Sequence, residues 1–600
     1  MKKYIGLSAL LLAGVSFTSC EQDLLDPFTP GAQTEEVAFQ RPLDLVYLMN
    51  SAYAILTPTS EIEFNAVFTD EVSIGFANGG QGLDDNYAFI LNPNSASPDG
   101  IWSSNYLTID RTNRVLTFAD LVTVETPADQ ALLDQVKAEA HALRAYCHNQ
   151  LISYFSTNPK DLNALGVVKA DAVYPTTFRG TRVSNAELYT FIDSDLTAAL
   201  QLFEASGNAT TRIRANEDFV NGTWARSYAL RGDYANALIK AQQVIDQSGL
   251  NLATFGHTGA TSYTSVFHTD TNNANTEVIF KLKKLNGETR TGALFASVNS
   301  TLAGSPFFEM GRGLFNLLDN TQAADASTFT VTAVSSQTLT IPGHNYVVGD
   351  MVRFLEARPT NAVTTNGVST VPSNAILSGK VYWVRQVTGD NVQLSAELGG
   401  GASVNFQGAN VGGFTPVQIT GNDGDVRYHV NVHPQSVVDA NYLTSANPTD
   451  TDKLVIRKYP GTATNGFLIN DIKIMRLSEM YLIKAEAQIA ANDLAGAAAT
   501  IRTVRNARHN KVQDLPVYAD AVAAWKDVLR ERRKEFAYEG FRYVDLKRIG
   551  GFANEGIQRD PVDCAINGQC SLSVDNFKFT LPIPISELSV NPSIPQNAGY

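Results

Sequence analysis

Between Gly466 and Ile549 the chain leaves few folding choices. The run Ile472–Ala490 is apolar on most sides at helical spacing, and small residues (Ala485, Ala487, Ala490, Ala491) alternate with large ones (Leu477, Met480, Tyr481, Ile483). That pattern predicts a helix buried nearly all round. Asn492-Asp493 breaks it and supplies an N-cap for a second helix, Leu494–Ala507, with Ala497, Ile501 and Val504 on one face. Two antiparallel helices in about 34 residues have the size of a tetratricopeptide unit. A third, densely charged helix is expected over Trp525–Tyr538, with Gly540 placed for a left-handed C-cap. The same grammar appears earlier: Thr223–Leu230 and Tyr234–Ile245 flank Arg231-Gly232-Asp233, which is read as their turn. Further helices are expected over Arg41–Ile55, around Ala140–Tyr154, and after Ser184, which caps a stripe of Leu188, Ile192, Leu196 and Leu200.

Residues 321–420 change period. Phe329 and Val331, then Val381, Trp383, Arg385 and Val387, alternate, and Thr388-Gly389-Asp390 makes a hairpin turn before Asn391–Ser395. This predicts a small all-β domain, a barrel or sandwich, inserted into a mainly α, tetratricopeptide-like superhelix. Other strands are expected at Asn275–Phe280, after Tyr263…Phe267, and at Phe577–Leu581. Residues 60–100 read as an irregular, loop-rich surface. Six hundred residues exceed one core, and the net charge of −14 without basic clusters argues against nucleic acid as a partner.

The N-terminus carries Lys2-Lys3, an apolar run Ile5–Val15 and Phe17-Thr18-Ser19-Cys20, the layout of a secretory signal too short to span a membrane. Cys20 is then the lipidated first residue of the mature chain, and Asp26–Gln40 is a tether. Export permits a disulfide between Cys564 and Cys570. Cys147, on an apolar helix face, reads as a buried small hydrophobe.

No H-E-x-x-H, G-x-S-x-G, G-x-x-x-x-G-K-[ST] or C-x-x-C motif is present. His429, Asn431 and His433 alternate and would share a face in a strand, most simply a solvated one, so no metal or other cofactor is expected. Glu531, Glu535 and Glu539 form a carboxylate stripe, but neighbouring Arg and Lys would hold them ionised as structural ion pairs, unsuited to acid catalysis of glycoside cleavage. Binding is the better reading. Sugar sites combine exposed aromatics with polar side chains, and the loops 64–100 and 290–315 have that mixture. Phe64, Asp84, Asn86, Tyr87, Phe307 and Phe308 are the candidate ligand residues; Trp102 and Tyr106 are expected to be structural.

Several dispersed segments carry a resemblance. W-x-x-x-Y-x-x-I-x-R-x-N from Trp102, Ala142-Leu143-Arg144-Ala145-Tyr146, R-x-SEMYL-x-KAEA from Arg476, ERRKEFAYEGFRYVDLKR from Glu531, and the tail from Leu581-Pro582-Ile583-Pro584 to Tyr600 resemble the SusD/RagB family of outer-membrane nutrient-binding lipoproteins. Family members run directly from a segment like Leu314–Asn320 to one like Asp425-Val426-Arg427, so residues 321–420 stand out as the insert. The resemblance implies a signal peptide at 1–19, a tether at 20–40, and a helical domain at 41–320 resumed at 421–600. Glu21-Gln22-Asp23 after the cysteine is similar to the surface-export preference of Bacteroidota lipoproteins. It further implies a glycan or other nutrient as ligand, a SusC-like TonB-dependent transporter as partner, and a lipid-anchored place on the outer face of the outer membrane. A surface glycoside hydrolase, or a scaffold acting through the β insert, are the competing readings.

Overall fold

The computed structural model describes residues 38–75, 85–207, 211–270, 277–295, 306–359, 363–365, 368–370, 374–438, 452–565 and 569–600. Its body is helical. Helices α1 (Pro42–Ile55), α2 (Thr59–Phe68), α3 (Ala96–Phe118), α4 (Pro127–Phe155) and α5 (Asn185–Ser206) lead into two hairpins, α6/α7 (Glu217–Arg231, Tyr234–Gln247) and, much later, α11/α12 (Leu477–Ala490, Leu494–Arg508). Between them lie α8 (Tyr263–His268), α9 (Arg312–Leu318) and α10 (Val426–Asn431), and α13 is Ala521–Glu535.

The two hairpins turn in the same way. Gly232 sits at φ +81 and Asn492 at φ +61, and in each case the next residue, Asp233 or Asp493, caps the following helix by accepting a backbone N–H from Asn236 or Gly496. Arg231-Gly232-Asp233 is therefore a helix–helix turn. Ser184 caps α5 through the Glu187 N–H as expected. Small buried residues let the two hairpins meet: Ala237 and Ala241 on α7, Ala485 and Ala487 on α11, all near 0% exposed.

Several expectations are corrected. Ile472–Arg476 is a strand, not the start of a helix; α11 begins at Leu477. It pairs antiparallel with Val278–Leu282, and those backbone bonds outweigh the helical apolar period. The strand expected at Asn275–Phe280 is described from Val278 to Leu282, after the short helix Tyr263–His268. Residues 59–75 form a buried helix and strand instead of a surface loop, because the polar groups of Glu61 and Asn65 are answered internally by Asn105, Gln150 and Tyr154. Phe577–Phe579 is a 3₁₀ turn, not a strand. The third helix starts and stops earlier than expected, at Ala521 and Glu535, and Gly540 (φ +85) lies past its cap.

The insert is all β. Strands β6 (Ser327–Val331), β7 (Ala333–Ser335), β8 (Thr338–Thr340), β9 (Met351–Phe354), β12 (Val381–Thr388), β13 (Asn391–Ser395) and β14 (Val417–Asn422) form one sheet in the order β6-β14-β9-β12-β13-β8-β7; a separate hairpin, β10/β11, is Val363–Thr365 with Val368–Thr370. The two edge strands, β6 and β7, are separated by Thr332 alone, so the sheet must roll up on itself into a barrel-like shape. Leu339, Val352, Phe354, Val384, Leu394, Phe406 and Ile419 fill it.

The insert does not dangle. Met351, Val381 and Trp383 belong to the body's core, with Trp383 edge-on to Tyr428 and His429. Gly424 allows this approach: a Cβ there would lie 2.1 Å from Gly349 O and 2.7 Å from the Trp383 ring. Asp350, fully buried, accepts from Asn510 and Lys511 of the body.

Candidate ligand-binding face

Strand β1 (Val72–Ile74) pairs antiparallel with β5 (Phe308–Met310), Ile74 opposite Phe308. The ladder continues as Gly75 N–H donates to Phe307 O at 2.9 Å. A Cβ on Gly75 would sit 2.2 Å from Pro306 O, so only glycine fits that approach. The result is a fixed edge on which Phe307 stands 41% exposed, its ring edge-on to the buried Phe308.

Beneath that edge the polar groups are locked. Glu309 accepts from Leu454 N–H at 2.8 Å, Asp563 accepts from Arg312 N–H at 2.8 Å, and the Arg312 guanidinium pairs with Asp452. Tyr87 donates its hydroxyl to Asp563 O, and Arg559 lies 3.9 Å over the Tyr87 ring and 4.3 Å over Phe89. Cys564 is disulfide-bonded to Cys570. Burial pushes the Asp563 carboxyl well above the usual range, and burial with Asp70 alongside pushes Glu71 up to about 8.

The six candidate ligand residues divide. Phe307 is on the surface. Asn86 is half-buried and donates to Ser97. Phe64 (0% exposed), Tyr87 (0%) and Phe308 (3%) are core residues and are corrected as such: Phe64 packs between Phe68 and Tyr543, and Tyr87 under Arg559. Asp84 and Cys20 lie outside the described residues. Trp102 packs against Tyr106 and Phe155 inside the body, and Cys147 is buried. The sequence reading missed Arg312, Asp452, Arg559 and Asp563, partners far apart in the chain with no local signal.

The charged stripe is interior. Arg476 bridges Glu277, Glu535 and Glu539; Arg508 bridges Glu277 and Glu535; Arg427 joins Asp425, Glu531 and Glu535. Burial would raise these carboxyls, but Arg427 and Arg505 beside Glu531, and Arg508 and Arg476 beside Glu535, hold both well below the usual range. The cations come from other elements as well as from α13 itself. Held ionised by these pairs, Glu531 and Glu535 are poorly suited to donate a proton. His429 is not on a strand face: it lies in α10, buried, its ring 5.8 Å from His268. Among the described residues no group of three or more His, Cys, Asp or Glu is arranged to hold a metal ion, and no helix is long and apolar enough to cross a membrane.

Comparison with known proteins gives a consistent answer. Residues 402–600 match the model of the SusD family, and residues 23–229 match a model described as starch-binding, associating with the outer membrane. A 158-residue stretch is 31% identical to the starch-binding protein SusD of Bacteroides thetaiotaomicron, covering 25% of this chain and 26% of that protein's length. Solved structures agree in fold: a candidate sugar-binding protein of Bacteroides vulgatus (TM-score 0.62, 19% identity, 94% of this chain and 99% of that one), a SusD superfamily protein of B. thetaiotaomicron (0.58, 18%, 93% and 99%) and a SusD-like protein of Bacteroides fragilis (0.59, 15%, 94% and 99%). The chain belongs to the SusD/RagB family.

Proposed function

We propose that this chain is a cell-surface binding lipoprotein, anchored through Cys20, that captures a glycan and delivers it to a SusC-like TonB-dependent transporter. Residues 1–19 are its signal peptide, 20–40 its tether, and the insert at 321–420 interrupts a helical domain made of 41–320 and 421–600. Capture is an equilibrium, followed by hinge-like closure over the channel, and involves no bond cleavage. The observation that carries the reading is Phe307, an aromatic ring held in solvent by a glycine-enforced edge whose underlying charges are already spent. Such a ring offers a stacking platform for the apolar face of a sugar. The starch-binding name of the relative and of the matching family model supports a glycan over other nutrients.

Calorimetric titration with a panel of soluble polysaccharides and peptides, with product sampled in parallel, tests this. Saturable heat without product is expected, and Phe307→Ala should weaken binding by about 1 kcal/mol, roughly fivefold. Product release would replace the reading with a hydrolase. Silence across the panel with retained transporter binding would replace it with a scaffold.

A further inference from the structure

Helix α13 sorts its charges by face. Glu531, Arg532, Lys534 and Glu535 point inward and are buried in the ion-pair network. Lys526 and Arg530 point outward, are exposed, and fall at i and i+4, with Arg533 following at i+7 on the same stripe. Lys526 and Arg530, like charges at i and i+4, disfavour the helix by a few tenths of a kcal/mol, while Arg533 lies in its last turn, where a cation is favourable. The three cations line an open groove of about 490 Å³ together with Arg542, Leu317 and Glu555. Asp70 pairs with both Arg542, at 2.9 Å, and Arg533, at 3.5 Å, which leaves Lys526 and Arg530 as the cations that face the groove without a carboxylate of their own. Asp527, also on the wall, is committed to Arg505 and Tyr518 at 2.7 Å each. The Nε of Arg533 is buried without a hydrogen-bond partner. This surplus of positive charge sits on a protein of net charge −14.

We propose that this groove is a binding subsite for an anionic polysaccharide, one carrying a carboxylate or sulfate on successive sugar units. The inference rests on the glycan-binding reading and narrows its ligand class. Cations four residues apart on a helix are separated by about 6 Å along its axis, comparable to the advance of one sugar unit, so successive acidic sugars meet successive cations. Leu317 supplies an apolar wall against which a ring can lie. Groove and aromatic edge are linked through the interior of the body, since residues 70–75 are buried. Asp70, held by Arg533 and Arg542, precedes strand β1, which runs to Gly75 and so to Phe307. Five extended residues span at most about 17 Å, within reach of an oligosaccharide of a few units and beyond a single sugar. An acidic loop of a partner protein is the competing occupant, and transporter co-purification separates the two.

The test is titration of the full-length protein with polygalacturonate, dextran sulfate and uncharged dextran and amylose, at low and high salt. It uses the wild type, Lys526→Glu/Arg530→Glu, a control Lys283→Glu/Arg290→Glu that reverses exposed cations elsewhere, and Phe307→Ala. The expected result is salt-sensitive binding of at least one acidic polymer. That binding should be weakened about tenfold or more by the groove reversal, little changed by the control, and weakened by Phe307→Ala. Neutral-glycan binding that depends on Phe307, with acidic binding absent or equally sensitive to both reversals, overturns the groove and leaves the glycan reading standing. Loss of transporter co-purification in the groove variant with unchanged polysaccharide binding overturns it in favour of a protein contact. No binding of any polymer, neutral or acidic, overturns both.

Discussion

The helical body and the β insert are held together by opposite means. The body buries its charges: Arg427, Arg476 and Arg508, all 2% exposed or less, lace α10, β17 (Ile472–Arg476), α12 and α13 through Glu277, Glu531, Glu535 and Glu539. The insert buries few; its centre is Val, Leu, Ile, Phe and Tyr, Asp350 and Arg353 sit at the seam, facing Lys511 and Asp319 of the body, and Arg358 is answered inside the insert by Glu356 and the carbonyls of Thr415 and Pro416. Buried ion pairs contribute little net stability over an apolar core but are unforgiving of partial removal. An apolar core loses stability in proportion to what is removed. The body should therefore be brittle and the insert forgiving.

The largest effect expected is at Arg476. Arg476→Ala removes the one cation shared by Glu277, Glu535 and Glu539, leaving the first two to Arg508 and the third to Lys458, and should cost about 3–5 kcal/mol, read as a lower urea midpoint for the body. A loss under about 1 kcal/mol would break the comparison. Next comes Leu394→Ala in the barrel, expected to cost about 2–4 kcal/mol. Hydrogen exchange should show the damage in 327–422 while amides of Glu217–Gln247 keep their protection.

How much of this contrast was legible in the sequence depends on whether a feature is local. The hairpins were readable because Gly232 and Asn492 mark turns beside apolar stripes, and the insert because its period drops from helical to alternating. The strand Ile472–Arg476 was not, since its partner Val278–Leu282 lies far off in the chain. The ligand face was read poorly for the same reason. Polar residues around Phe64 and Tyr87 resemble a site in one dimension, yet Asn65 answers Tyr154 and Asp563 answers Tyr87 in the interior. Among the described candidates Phe307 alone is exposed, with Asn86 half-buried, because β1 pairing and Gly75 hold the Phe307 backbone.

Two smaller predictions sharpen the comparison within the body. Removing the Cys564–Cys570 bridge with paired serines opens a short loop and should cost about 2 kcal/mol; limited proteolysis should then cut near residue 565 before the barrel. Glu71 provides the pH test. Its folded carboxyl titrates near 8, above the unfolded value of about 4.3, so its stabilising preference for the proton is complete below the unfolded value and is lost as pH rises through 8. Glu71→Gln should gain about 1.4 kcal/mol over wild type for each unit between pH 6 and 7. Glu535 runs the other way: its lowered folded value gives stability present above about pH 4.3 and lost as pH falls. The barrel's transition, with no such carboxyl in its centre, should be flat across both windows; a pH-dependent barrel would erase the distinction.

The insert leaves and re-enters the body at one point, since Ser327 and Gly421 face each other across β6 and β14. To the body, therefore, the whole barrel closes like a short turn, and a lineage could gain or lose it as a cassette in a single genetic step. Trp383 makes that exchange conditional. Its ring is lodged against Phe255, Tyr428 and His429, so a replacement cassette must bring its own key for that lock, or the body must rewrite the socket at the same time.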